Sequence, residues 1–314
     1  MSSRPRVSAV IPAYDRERTI TRAIDSVLEQ SEPPVELIVV DDGSTDATLE
    51  RIRAYGGRVR PIAQANAGAG AARNHGVREA SGEWIAFLDS DDYWNREHLE
   101  RMGDAIVETK GRADVYFGNT RRPESEGGEL QWARAGFRPE GATDLVDDAR
   151  AWAFASKQPL MLQSSLFRRE RYLAVGGIWE ALRAREDTHL FFKLLVGAPA
   201  CAVDYCSTQM TSDDDSGGRL SEKYGLSDRH YEQTERLYID LLERLDLTPA
   251  ERRELAFRIA AAQLRLARSA LSAGRYLSAA SFSVRALCRS PRRFWAAARR
   301  RVSSGDVATE GGSA

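Results

Sequence analysis

Asp89-Ser90-Asp91-Asp92 puts three carboxylates into four residues, directly after the apolar run Trp84-Ile85-Ala86-Phe87-Leu88. Carboxylates this close repel one another, and some must hold protons unless a cation sits among them. Hard divalent cations such as Mg²⁺ or Mn²⁺ prefer oxygen ligands, typically one or two carboxylates together with substrate phosphates. The plain alternative is a solvated acidic loop capping the helix that carries His98, Leu99 and Met102. A second acidic turn, Asp41-Asp42-Gly43-Ser44-Thr45-Asp46, ends another apolar run. One of its carboxylates could accept hydrogen bonds from a base or a ribose, although Ser, Thr and Asp in this order also make an ordinary helix-capping turn.

A third stretch, Asn66 to Gly76, contains G-x-G but lacks the third glycine of a dinucleotide fingerprint, and no Gly-Lys-Ser/Thr follows. What remains is a small-residue helix start that lets a ligand approach, with Arg73 in its first turns; a tightly packed helix with a surface Arg fits the same text. Glu186-Asp187, after the Gly176-Gly177 turn, opens a further helix, where a carboxylate does chemistry or simply complements the helix dipole. His75, His98, His189 and His230 show no metal-ligand or triad spacing, and no catalytic role is read for them.

These residues need a frame that gathers them. Val7–Pro12, Val35–Val40, Val59–Ala63 and Trp84–Leu88 read as buried strands. Helical spacing over Thr19–Gln30, around Leu49 and Ile52 with Thr45 or Asp46 as N-cap, and over Ala71–Ala80 separates them. The alternation predicts an α/β fold on a mostly parallel central sheet flanked by helices. Parallel strands share one C-terminal edge, where such sheets bind ligands. Tyr14, Asp41, Asp42, Asp89, Asp91 and Asp92 all fall on that edge. Residues 120–160 are less regular. Leu160–Phe167 and Ala200–Tyr205 read as strands, with a helix from Glu186 between them.

The 314 residues are 42% hydrophobic and 29% charged, which excludes wholesale disorder, and the net charge of -1 gives no global reason to expect nucleic acid. Three cysteines are too few and too odd in number for a disulfide framework and fit a reducing, cytoplasmic compartment. The chain runs from Met1 straight into a strand without a secretory signal pattern, and no apolar run is long enough to span a membrane. From about Ser227 the pattern is helical throughout. The expected division is a catalytic domain over 1–218, a helical region over 219–303 and a disordered tail over 304–314. Between Arg252 and Val302, Glu254 is the lone acid among many arginines. Those helices either lie on an anionic membrane, giving a peripheral contact at its inner face, or form a bundle with a solvated Arg-rich face.

Taken in order, five blocks resemble the family 2 glycosyltransferases, inverting enzymes of the GT-A fold. They are Val7 to Tyr14, Val39 to Asp46, Asn66 to Gly76, Gly82 to Asp92, and Gly176 to Glu180 with Glu186-Asp187. The resemblance covers about the first two-thirds of the chain. It implies a nucleotide-diphosphate sugar donor, a divalent metal (Mn²⁺ or Mg²⁺) and a carbohydrate or glycolipid acceptor, in cell-surface polysaccharide or glycoconjugate synthesis. By the same resemblance Pro12, Ala13 and Tyr14 line the nucleoside pocket, Asp42 contacts the base and Arg73 lies beside it. Asp89 and Asp91 form the D-x-D element, Asp91 and Asp92 serve the metal and diphosphate, and Asp187 is the general base with Glu186 beside it. Many relatives carry a late His near the metal; the corresponding loop here, Ser212 to Gly218, has none, so either an Asp there replaces it as an oxygen ligand or the contact is absent. A nucleotide-sugar-binding scaffold without turnover is the rival reading. The intact acidic set argues against it, and the misplaced glycine pattern disfavours a dehydrogenase.

Overall fold

The computed structural model describes residues 4–211, 227–291 and 294–295. The chain divides into two compact units, Met1–Arg219 and Leu220–Ala314. The acidic loop 212–218, the tail 304–314 and most of the segment after Pro291 lie outside the described residues.

In the first unit the elements follow as β1 (Val7–Ala13), α1 (Ile20–Leu28), β2 (Glu36–Asp41), α2 (Thr48–Arg53), β3 (Arg60–Ala63), α3 (Ala69–Glu79), β4 (Trp84–Phe87) and β5 (Tyr93–Trp94). Then come α4 (His98–Glu108), β6 (Val115–Arg121), α5 (Gln131–Ala135), β7 (Thr143–Val146), α6 (Arg150–Phe154), β8 (Ser165–Arg168), α7 (Arg169–Ala174), α8 (Glu186–Leu195) and β9 (Ala200–Gln209). One nine-stranded sheet runs β3-β2-β1-β4-β8-β6-β9-β5, with β7 paired to β9. The half that carries the acidic edge, β3-β2-β1-β4, is parallel, as the alternation predicts. Beyond β4 the sheet is mixed: β8 runs antiparallel to β4 and β6, while β6 and β9 are parallel.

Every residue of β1 is buried, and so are all of β4 and nearly all of β2, because helices cover both faces of the parallel half. α1 turns Ile20, Ala23, Ile24 and Val27 onto this core, which includes Ile11, Val39 and Trp84. α3 lies close enough to the sheet that a Cβ on Gly76 would stand 2.4 Å from a Val10 methyl carbon. That is why small residues crowd its sequence.

The short strand β7 lies in the irregular region; β7, the short β5 and the fully internal β6 are not marked by apolar periodicity. The expected strand Leu160–Phe167 is corrected: Leu162–Ser164 is a 3₁₀ turn and only Ser165–Arg168 is extended. Neither Thr45 nor Asp46 is the N-cap of α2, but the Asp46 carboxylate does accept the Thr48 N–H at 2.9 Å.

The second unit is α-helical: α9 (Asp228–Arg244), α10 (Pro249–Ser272) and α11 (Tyr276–Arg289). α9 starts on Ser227, whose hydroxyl accepts the His230 N–H. α10 starts on a capping box in which Thr248 and Glu251 satisfy each other's backbone N–H, with Pro249 in the first turn. No helix among the described residues is long and apolar enough to cross a membrane.

Candidate active site

The C-terminal edge of the parallel strands is a set of loops tied to one another. After β1 comes Tyr14, 44% exposed at the lip, while Pro12 and Ala13 are buried beneath it. The next residue, Asp15, has φ 50°, one of three non-glycine residues with positive φ among the described residues. Its N–H donates to Ser44 Oγ (3.0 Å) and its carboxylate accepts from Thr45 N (2.8 Å). The β1 and β2 loops are thereby locked together, and the Asp42 N–H closes the join on the Ala13 carbonyl (2.8 Å).

Asp42 is buried and its carboxylate is fully engaged. It accepts from Gln64 Nε2 (2.7 Å), Ala67 N (2.8 Å) and Gly68 N (2.7 Å). Gly68 is the N-cap of α3 with φ 95°, so Asp42 sits where the helix presents unpaired N–H groups and its positive dipole end. His75 reaches the same group at one remove, through Gln64 (2.7 Å). Neighbouring Asp41 takes the Ser44 N–H on one oxygen (3.3 Å), while its other oxygen is buried without a hydrogen-bond partner.

After β4, one carboxylate oxygen from each of Asp89, Asp91 and Asp92 lies within 4.8 Å of the others. Three hard oxygen donors this close suit a Mg²⁺- or Mn²⁺-sized cation. Asp92 is 1% exposed and held from two sides, by Thr211 N (3.1 Å) and Gln163 Nε2 (3.1 Å). The Asp91 carbonyl accepts from Arg22 Nη2 (2.7 Å) and Thr211 Oγ1 (2.5 Å). Gln163, Thr211 and Arg22 are supports that sequence reasoning missed. Gln163 lay inside a segment expected to be plain strand, and Thr211 stands just before the acidic loop.

Arg73 changes partners relative to the sequence expectation, which set it beside Asp42. From the first turns of α3 its Nη2 donates to Asp89 Oδ1 (2.5 Å), and Nη1 stands 3.6 Å from Glu186 Oε1. A guanidinium this buried must meet carboxylates, and these are the two that α3 faces. Burial opposes its charge, but Asp89 and Glu186 together outweigh that and hold it protonated. Its Nε and Nη1 make no hydrogen bond.

Glu186 and Asp187 form the first turn of α8, whose N-cap position is Arg185, a second non-glycine residue with positive φ (62°). The Glu186 carboxyl is pushed up from its usual range by burial and then by the Asp187 charge, with Arg73 pulling the other way. The turn that precedes α8 is held by Asn74 on α3. The Asn74 amide donates to Ile178 O (2.8 Å) and Glu180 Oε1 (2.9 Å) and accepts from Tyr172 Oη (2.6 Å) and Ile178 N (3.0 Å). Gly177 (φ 58°) passes so close that a Cβ there would stand 2.6 Å from Asn74 Oδ1. Lys193 Nζ clamps the same turn through Val175 O (2.8 Å) and Gly177 O (2.7 Å). Asn74 was within a motif already singled out, yet its role needed the turn it holds to be in view.

The family model described as "Glycosyl transferase family 2" matches residues 8–169. A protein of Nostoc sp. named as an uncharacterized glycosyltransferase is 32% identical over 161 residues, 48% of this chain and 48% of that protein. The succinoglycan biosynthesis protein ExoO of Rhizobium meliloti is 49% identical over 100 residues, 31% of this chain and 29% of its own. The chain spans no more than about half the length of these curated relatives. Among solved structures, S. aureus TarS 1–349 in complex with UDP-GlcNAc superposes with a TM-score of 0.65 at 21% identity, covering 90% of this chain and 91% of that one. GalNAc-T7 with UDP, GalNAc and Mn²⁺ gives 0.56 at 17% identity, covering 83% and 51%. At these identities the structures speak for the fold.

Proposed function

Because the chain belongs to glycosyltransferase family 2 and carries the GT-A fold, we propose that it moves a sugar, with inversion, from a nucleotide-diphosphate sugar to a hydroxyl of a carbohydrate or glycolipid acceptor. The observation that carries this reading is Arg73. One buried cation touches both the acidic strand edge and the start of α8, so donor-side acids and the carboxylate pair share one pocket.

In this reading Pro12, Ala13 and Tyr14 line the nucleoside pocket, with Asp42 holding its floor through Ala67 and Gly68 and facing the base. Asp91 and Asp92 would hold a Mn²⁺ or Mg²⁺ ion, with Asp89 beside them, and the ion when bound neutralises charge on the diphosphate leaving group. Asp187 accepts the proton of the acceptor hydroxyl as its oxygen bonds to the anomeric carbon and the bond to the diphosphate breaks. Asp187 takes the base role, and Glu186 supports it from beside Arg73. Arg73 keeps Asp89 and Glu186 ionically tied while this happens.

Catalysis is assigned to residues 1–218 and a separate role to the helical region 219–303. ExoO is named for succinoglycan biosynthesis and TuaG of Bacillus subtilis for teichuronic acid biosynthesis, which supports a place in polysaccharide or glycoconjugate synthesis. The free cysteines Cys201, Cys206 and Cys288 suit the cytoplasm, at the inner face of the membrane.

A panel of nucleotide sugars with Mn²⁺ or Mg²⁺ tests the reading, by thermal shift and then by release of nucleoside diphosphate when acceptor is added. Asp91→Ala should weaken metal-supported nucleotide binding and leave the fold intact. Tight nucleotide binding indifferent to EDTA contradicts the metal assignment. Binding with no release for any donor and acceptor favours the scaffold reading.

A further inference from the structure

α9 and α10 bury leucines such as Leu237, Leu241 and Leu255, but the last helix of the unit does otherwise. α11 packs on α10 through small residues, burying Ala279 and Ala286. Phe282 and Leu287 are half-buried, but other large apolar side chains face away: Leu277 is 90% exposed and Val284 59%. With Ala280, Ser281 and Cys288, also exposed, they form one stripe at helical spacing. A helix that belongs only to its own bundle does the reverse.

The turn leading into this helix is exposed from 271 to 277 and presents Leu271 and Tyr276, the latter 72% exposed. Trp295, beyond α11, is exposed as well. Isolated exposed apolar side chains are ordinary, but a row of them on one helix and its turn marks an interaction surface.

Cations surround the row. Arg265, Arg268 and Arg289 are exposed and make no ion pair among the described residues. Arg275 and Arg285 pair with Asp228 (3.2 Å) and Glu235 (3.3 Å) on α9. With Glu254 the only acid from Arg252 to Val302, this stretch offers almost nothing to answer its own positive charge.

That charge balance selects the occupant. A second copy of the chain would set arginine against arginine. An acidic protein surface would answer the arginines but not Leu277 and Val284. An anionic bilayer answers both, taking apolar side chains into the acyl boundary and guanidinium groups at the phosphates.

We propose that α11 and the turn before it lie on an anionic membrane surface, with Tyr276, Leu277 and Val284 inserted and Arg268, Arg285 and Arg289 at headgroup level. This gives the membrane-side placement proposed above a specific face; it rests on that placement for its purpose and on the helical unit for its evidence.

Flotation of the full chain with phosphatidylcholine vesicles, with and without phosphatidylglycerol, tests it. Association is expected only with the anionic vesicles, and it should weaken as salt is raised. Leu277→Ser with Val284→Ser should reduce partitioning roughly tenfold or more. Neutralising Arg268 or Arg289 to Gln should reduce it roughly fivefold per charge. The proposal is overturned if the chain ignores anionic vesicles at low salt, or if the Ser pair floats as well as the unsubstituted chain. It is also overturned if sedimentation shows a dimer that the Ser pair dissolves. Release of nucleoside diphosphate, measured in parallel, should be unchanged in the Ser pair. A chain that floats but releases nothing defeats the transfer reading and leaves this one standing.

Discussion

The α/β unit and the last helix of the helical unit use the same residue types in opposite directions. In the α/β unit an arginine goes inward, to the contact between Asp89 and Glu186, and large apolar side chains such as Ile11, Phe87 and Phe167 fill the core. In the helical unit α9 and α10 bury leucines such as Leu237, Leu241 and Leu255, but α11 buries alanines and turns arginines, Leu277 and Val284 outward. The first unit completes its own core and uses buried charge to build a site. The second closes α11 onto its bundle with small residues and leaves Leu277 and Val284 for something else. Interior charge and exterior apolar surface are both costly, and each is where a function is to be sought.

The strongest way to break this comparison is at the site. Asp187→Asn should lower turnover by roughly 10²-fold or more, the scale of a lost acid–base group, while donor affinity survives. Single-turnover release beside donor titration measures both. If Asp187 only capped its helix the change would be nearly silent, because Asn caps about as well as Asp. Asp187, however, lies in the first turn of α8, past the cap position. Near-normal turnover would pass the base role to Glu186.

Arg73→Met comes next. It leaves Asp89 and Glu186 facing a cavity without their shared cation and should destabilise the fold by about 3 kcal/mol. Arg73→Lys should recover part of this, since one ammonium cannot span both carboxylates. Urea denaturation gives the values. An unchanged midpoint for Arg73→Met would mean that interior charge is not what distinguishes this unit.

A smaller effect comes from His98, which is fully buried against Trp94 with neither ring nitrogen hydrogen-bonded. Burial pushes its pKa down to about 3. In the unfolded chain a histidine takes up its proton near pH 6.5, so the fold binds fewer protons than the unfolded state between those values. Stability therefore falls as pH falls through that window, by up to about 1.4 kcal/mol per pH unit from this group. His98→Phe should flatten the slope. A slope identical in both proteins would locate the acid sensitivity elsewhere.

The smallest change sharpens the contrast from the other side. Leu277→Ser and Val284→Ser should each leave thermal stability within about 0.5 kcal/mol, because these side chains contribute almost nothing to their own bundle. A loss of 2 kcal/mol or more in differential scanning calorimetry would mean that the stripe is packed in solution, and the two units would no longer differ.

Most of the parallel half of the sheet was legible in the chain. Runs such as Val7–Pro12 and Trp84–Leu88 are apolar throughout because both their faces are covered, and the acids follow directly at the strand ends. β6 was not legible. Val115–Arg121 contains Gly118 and Asn119, which break any apolar run, and it is a strand because β8 and β9 lie on either side of it. The expected strand at Leu160 failed in its first half because Gln163 and Ser164 turn there, the Gln163 carbonyl taking Trp94 Nε1 (2.7 Å) and Thr208 Oγ1 (2.7 Å).

Local pattern by itself determined which segments alternate as strand and helix, that Asp41 to Asp46 and Asp89 to Asp92 end strands on one edge, and that Glu186-Asp187 begins a helix. Each of these depends on neighbours a few residues away, where periodicity and capping act. Only the tertiary structure decided that Arg73 meets Asp89 and Glu186 rather than Asp42, and that Thr211 and Gln163 brace Asp92. It also decided which face of α11 is turned outward. The sequence of α11 has apolar residues on both faces, Ala279 and Ala286 on one and Leu277 and Val284 on the other. Packing against α10 chose the small face for the inside, because alanines let two helices approach closely, and left the large one in contact with the surroundings.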